Sequence, residues 1–174
     1  LSVPDPDSPV SAEGSAMWNG ERMGLDVKGG ALRDLMAGRA TPLRVALDSA
    51  PVELEFDGEV TDGDPARADG RIVVSVPSLR ELAAWAGTPV EGGGEGLGPL
   101  SLEAGLAATP ARVALEGAAI TLDRMSATGD LAADLGGDRP RLEGALEIDR
   151  IDLDPYLASA EGAQAGAGGG GGAA

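Results

Sequence analysis

Along residues 100–153 apolar and polar positions alternate in a series of short runs. Leu100, Leu102, Ala104, Leu106 and Ala108 share one parity. Val113 and Leu115 follow, and after a change of parity at Glu116 and Gly117 come Ile120 and Leu122. Met125, Ala127, Leu131, Ala133 and Leu135 form the next set, and Leu142, Leu146 and Ile148 the next. A period of two turns every second side chain to the same side of a pleated sheet, so one face is apolar and the other meets water. The pattern predicts an all-β-dominated chain: an antiparallel meander whose apolar face runs from strand to strand.

The first half follows the same plan. Val10, Ala12, Gly14, Ala16 and Trp18 alternate up to Asn19 and Gly20, a pair suited to the positive φ angles of a two-residue hairpin turn. That turn sets Ala16 opposite Met23, Gly14 opposite Leu25 and Ala12 opposite Val27, all on one face. Gly29 and Gly30 are expected to end the returning strand. Further strands are expected through Leu43, Val45 and Leu47, through Val52, Leu54, Phe56 and Val60, and through Ala66, Ala68, Gly70, Ile72, Val74 and Val76.

Short helices are expected near residues 31–37 and 78–86. The second has Ser78 as cap, Glu81 three residues on, and Gly87 as stop. Asp154 and Pro155 suit the start of a last helical turn. The organisation expected is a linker at 1–9, a β-rich half at 10–90, a glycine-rich loop at 91–99, a β-meander half at 100–158, and a disordered Gly/Ala tail at 159–174.

Glycines recur inside the strands. Gly70 precedes Ile72 and Val74, Gly129 precedes Leu131 and Ala133, and Gly144 precedes Leu146 and Ile148; Gly58 with Val60 is a shorter version. A mid-strand glycine marks a bulge, a bend, or something passing close to the backbone. Bends that curl the sheet are the simpler account.

Composition narrows the chemistry. There is no histidine and no cysteine, which removes the usual base near neutral pH, thiol nucleophiles, disulfides and the commonest metal ligands. The formal net charge is −16, with 29 acidic residues against 13 basic ones. The arginines are scattered singly, so no basic stripe exists to follow a phosphate backbone, and nucleic acid is not an expected partner. Flat binding to an anionic membrane is disfavoured for the same reason. The aromatic residues Trp18, Phe56, Trp85 and Tyr156 are too few for the girdles of a membrane barrel. No apolar run approaches the ~20 residues of a spanning helix.

No catalytic constellation emerges. Lys28 is the only lysine and has no phosphate-loop frame. Asp62, Asp64 and Asp69 suggest a calcium loop, but Ala66 stands where a third oxygen ligand is needed, and a solvated turn accounts for them better. Asp149, Asp152 and Asp154 invite a carboxylate-cluster reading, but Asp154 is better placed as a helix cap, and Asp149 and Asp152 lie around a change of strand parity. The chain therefore reads as non-catalytic, with no cofactor and no metal.

What remains is an imbalance of area. About ten strands present one apolar face, and two or three short helices are too small to cover it. The face must meet a second sheet, close on itself, or stay open to something apolar. A closed sandwich is the plain outcome, and a structural or interaction domain would then follow. The inward residues are small and aliphatic, a thin filling for a sandwich but a suitable lining for acyl chains.

The run G-R-I-V-V-S-V-P-S-L-R-E-L-A-A-W-A-G at residues 70–87 resembles the AsmA family of bacterial envelope proteins. So do L-G-P-L-S-L at 97–102, R-V-A-L-E at 112–116, A-T-G-D-L-A-A-D-L-G-G-D-R-P-R-L-E-G-A-L at 127–146, and I-D-L-D-P-Y-L at 151–157. The resemblance covers residues 10–157. It implies a curled β-sheet whose concave apolar groove carries phospholipid towards the outer membrane. It also implies a periplasmic location and association with the inner membrane through a segment outside this chain. Phospholipid acyl chains and other β-segments of a longer protein are the implied partners. Groove-lining candidates follow from parity: Ile72, Val74, Val76, Val113, Leu115, Ile120, Leu122, Leu131, Leu135, Leu142, Leu146 and Ile148.

Overall fold

Each strand pairs with its predecessor in sequence, and no strand is skipped. The structure, a computed structural model, describes residues 8–90, 96–137 and 139–151. Residues 1–7 of the expected 1–9 linker, most of the glycine-rich loop, Asp152, the helical turn expected from Asp154 and the 159–174 tail lie outside the described residues, and Pro9 at the end of the expected linker already belongs to the first strand. The strands are β1 (Pro9–Trp18), β2 (Glu21–Ala31), β3 (Thr41–Asp48), β4 (Glu53–Thr61), β5 (Arg67–Val76), β6 (Leu100–Thr109), β7 (Arg112–Leu122), β8 (Met125–Asp134) and β9 (Arg141–Ile148). They form one nine-stranded sheet in sequential order, all neighbours antiparallel, and β1 does not pair with β9. The sheet is a curled, unclosed meander.

Among the described residues no second sheet faces it, and they do not form the closed sandwich expected from area alone. Among the described residues the buried hydrophobic side chains are Phe56, Val76, Ala104 and Ala118. A sandwich would hide a whole inner layer, whereas here most of the apolar face is half-buried or exposed.

Local chemistry fixes the strand boundaries. Asn19 and Gly20 take φ of 46° and 82°, and the hairpin pairs Ala16 with Met23, Gly14 with Leu25 and Ala12 with Val27, as the turn requires. Gly29 and Gly30 do not end β2. Gly29 is paired on both sides, with Val10 and with Leu43, and the strand continues to Ala31.

The parity change in β7 is a bulge. Gly117 sits at φ 56°, its N–H donates to Asp130 Oδ1 at 2.8 Å, and the register shifts between Leu115 and Ala118. The extra residue returns Ala118, Ile120 and Leu122 to the apolar face.

Helices α1 (Leu32–Met36) and α2 (Leu79–Trp85) lie at opposite ends of the strands. α1 follows β2 and is terminated by Gly38 at φ 66°, whose N–H donates to Leu35 O. α2 follows β5. Its cap is Ser78, whose Oγ accepts from Glu81 N at 3.2 Å, and Gly87 at φ 85° ends it. Its first turn is also tied to the strand that follows the loop: Leu79 N donates to Gly98 O, and Gly98 N and Leu97 N donate to the Asp123 carboxylate.

Candidate functional site

The register links the apolar positions of all nine strands into continuous rungs. One runs Gly14, Leu25, Leu47, Leu54, Val74, Leu102, Ile120, Ala127, Ile148. A second runs Val10, Gly29, Leu43, Gly58, Gly70, Leu106, Leu115, Leu131, Gly144. Eight steps of about 4.8 Å make each rung roughly 38 Å along the arc of the sheet.

The opposite face carries the charge. Arg44 lies across from Asp57 and pairs with it. Arg112 holds Asp134 with two bonds of 2.8 and 2.9 Å, and Arg71 pairs with Glu103. These exposed pairs are individually weak because solvent screens them; they favour the register without dominating stability. Three of the arginines that look scattered in the sequence, Arg44, Arg71 and Arg112, thus meet acids across the strands.

Both helices sit on the apolar side. Leu35 of α1 shares a cavity of about 140 Å3 with Val10, Val27, Leu43 and Val60, all apolar-face residues. At the other end Trp85 of α2 meets Trp18 edge-to-face, with ring centroids 4.4 Å apart. Trp85 Nε1 donates to Trp18 O, and Asn19 Nδ2 donates back to Trp85 O at 2.7 Å. The helices therefore stand at the two ends of the β1–β6 half. Over β7–β9 no described helix lies on the face, and Leu142, Leu146 and Ile148 are 75%, 40% and 51% exposed.

The sequence-derived candidates divide accordingly. Ile72, Val74, Val113, Leu115, Ile120, Leu122 and Leu131 line the apolar face half-buried, and Leu142, Leu146 and Ile148 line it exposed. Val76 is 2% exposed beside the start of α2 and belongs to the small core rather than to an open surface. Leu135 lies just past β8, where its N–H extends the ladder to Ala111 O.

The candidates omitted much of the first half of the same surface. Leu25, Val27, Leu43, Val45, Leu47, Leu54, Val60, Leu102 and Leu106 fall on it by register. Their alternation was the available signal. Phe56 is the bulkiest contribution: at 7% exposure it lies over the paired Gly58 and Gly70, where a Cβ on either glycine would meet its ring within about 3 Å. These glycines make room for an aromatic ring close to the backbone.

No protein-family model matches this chain, and no curated protein or solved structure is detectably similar to it. Among the described residues no three acidic side chains gather into a metal-sized cluster, and no helix is long and apolar enough to cross a membrane. Chemically the surface offers aliphatic contact along its length, with polar groups confined to the rims and the reverse face.

Proposed function

We propose that this chain is a segment of an AsmA-like envelope protein, and that its apolar face is a groove shielding phospholipid acyl chains in transit through the periplasm to the outer membrane. The observation that supports this reading is the unbroken apolar rungs, which no described element covers over β7–β9. An exposed apolar surface of this extent is unfavourable in water and marks a binding site. Acyl chains suit it because they need area without directional bonds, and the groove lining is aliphatic. Its action is non-catalytic: chains leave water on one side of a sheet whose charged reverse face stays solvated. Association with the inner membrane would come from a segment outside this chain, and β1 and β9 are the edges at which other β-segments would continue the sheet.

The test is the lipid content of the purified protein. Organic extracts analysed by mass spectrometry should contain phospholipid, and Leu131→Asp and Leu142→Asp should lower it several-fold while far-ultraviolet circular dichroism keeps its strand signature. Equal lipid in parent and variants would defeat the groove. The exposed edges also favour a second reading, an interaction module covered by another β-domain or a second copy. A tight oligomer free of lipid would establish that instead.

A further inference from the structure

Among the described residues β9 is paired on one side only, and all of its residues are exposed. Its ladder with β8 is regular, from Arg141 opposite Asp134 to Ile148 opposite Ala127, with no bulge. It contains neither proline nor lysine, residues that commonly blunt a sheet edge. Asp149 N donates to Ser126 O, and the bonding direction alternates along an antiparallel strand, so the odd-numbered residues of β9 bond back to β8. The N–H and C=O groups of Leu142, Gly144 and Leu146 therefore point away from the sheet.

The side chains of this edge are complementary to themselves. Leu142, Gly144, Leu146 and Ile148 share the apolar face, and Arg141, Glu143, Ala145 and Glu147 share the reverse face. Arg141 stands opposite Asp134, but that carboxylate is already held by Arg112 with two bonds. Arg141 itself lies 3.8 Å from Glu143 of its own strand, a loose and exposed contact. Glu147 stands opposite Thr128, which carries no charge. A second β9, reversed about a two-fold axis through Gly144, would set Arg141 opposite Glu147 twice and Leu142 opposite Leu146 twice. An axis between two residues would turn apolar side chains against charged ones. An axis through Glu143 would set that carboxylate against its own copy, and one through Ala145 would set Glu143 against Glu147.

We propose that β9 is a self-association edge: two copies of this chain pair β9 to β9, antiparallel, about a two-fold axis at Gly144. The outward groups of Leu142, Gly144 and Leu146 then exchange about six main-chain hydrogen bonds. Arg141 and Glu147 pair across the junction on the reverse face, and the leucines pair on the apolar face. The rung that ends on Gly144 meets its own copy there, so the apolar surface of nine strands continues into nine more. The interface is one strand deep, which makes the dimer reversible rather than permanent. The pairing extends the apolar face without covering it, and it holds whatever that face binds.

The experiment is sedimentation velocity of the full chain over a concentration series. Sodium chloride at about 0.15 M screens the repulsion between two chains of formal charge −16. The mass should rise with concentration to twice that of one chain. Arg141→Glu and Glu147→Arg should each weaken association about tenfold or more, because each sets like charges opposite each other twice. An equimolar mixture of the two variants should associate as the parent does, since every reversed charge then meets its opposite. Glu13→Arg on the β1 edge should change nothing. Amide exchange of Leu142, Gly144 and Leu146, fast in dilute protein, should slow as concentration rises. A chain that stays monomeric at every concentration overturns the proposal. A dimer equally tight in both single variants places the contact elsewhere and overturns it too, as does a mixture that associates no better than its components. Lipid in the extracts, or its absence, bears on the groove and leaves this result untouched.

Discussion

Phe56 and the glycines beneath it concentrate what little core the molecule has. Truncating Phe56 to alanine removes a nearly buried ring and leaves two bare glycines facing each other, so a loss of about 3–5 kcal/mol in urea unfolding is expected. Gly117→Ala should cost about 1–2 kcal/mol because its left-handed backbone is bound into the β7 bulge. The bulge is legible in the sequence, since the apolar positions change parity at Glu116 and Gly117. The Phe56 ring is not: alternation tells which face it occupies, but not that it lies along the strands over Gly58 and Gly70. Titration behaviour belongs to this scale as well. Hydrogen bonds from Lys28 and Arg39 hold Asp26 and Asp34 below the ordinary carboxylate range. On acidification the unfolded chain therefore takes up these protons first. Their stabilisation is complete above the unfolded carboxylate value and is lost as pH falls through the lower folded one. Melting temperature should accordingly be level from about pH 8 to 5, there being no histidine to titrate, and should fall below about pH 4.

Among the elements, α2 shows how a short helix is kept in place by its ends. Ser78 and Gly87 punctuate it, the 97–98 segment ties its start, and Trp85 fastens its far end to the β1–β2 turn. Trp85→Phe keeps a ring but deletes the bond to Trp18 O, and a loss of about 1 kcal/mol is expected. Emission from the remaining Trp18 should then move to longer wavelength as the helix end loosens. The helix, its cap and its stop are readable from the chain, because all are local. The side of the sheet it lies on, and its meeting with a residue 67 positions earlier, are not local and do not show in the pattern. The same distinction explains β2: Gly29 and Gly30 resemble a strand end, yet pairing on both sides of Gly29 carries the strand onward.

At the scale of the whole molecule, the meander and its single apolar face follow from alternation alone. Whether that face is covered does not follow, since area can be hidden by a second layer as easily as left open. The open arrangement has an electrostatic corollary. With a formal charge of −16 and only modest ion pairs on the reverse face, the sheet repels itself. Added sodium chloride should raise the melting temperature, as screening lengths shrink to about 10 Å near 0.1 M. A sandwich of the same composition would share that trend, but it would not show the release of lipid by detergent that the proposed groove predicts.

The unbroken sequential order of the strands has a consequence for how the molecule comes apart. Because every β ladder joins chain neighbours, the sheet behaves like a one-dimensional stack, and loops close over short stretches of chain. Opening can then begin at an end and travel inward rung by rung, in place of a single collective event. Amide hydrogens of β9, whose residues are all exposed, should exchange with deuterium soonest, and those of β4 and β5 around Phe56 last. By the same logic a hairpin gained or lost at the β9 end would change the length of the trough while leaving the opposite end undisturbed.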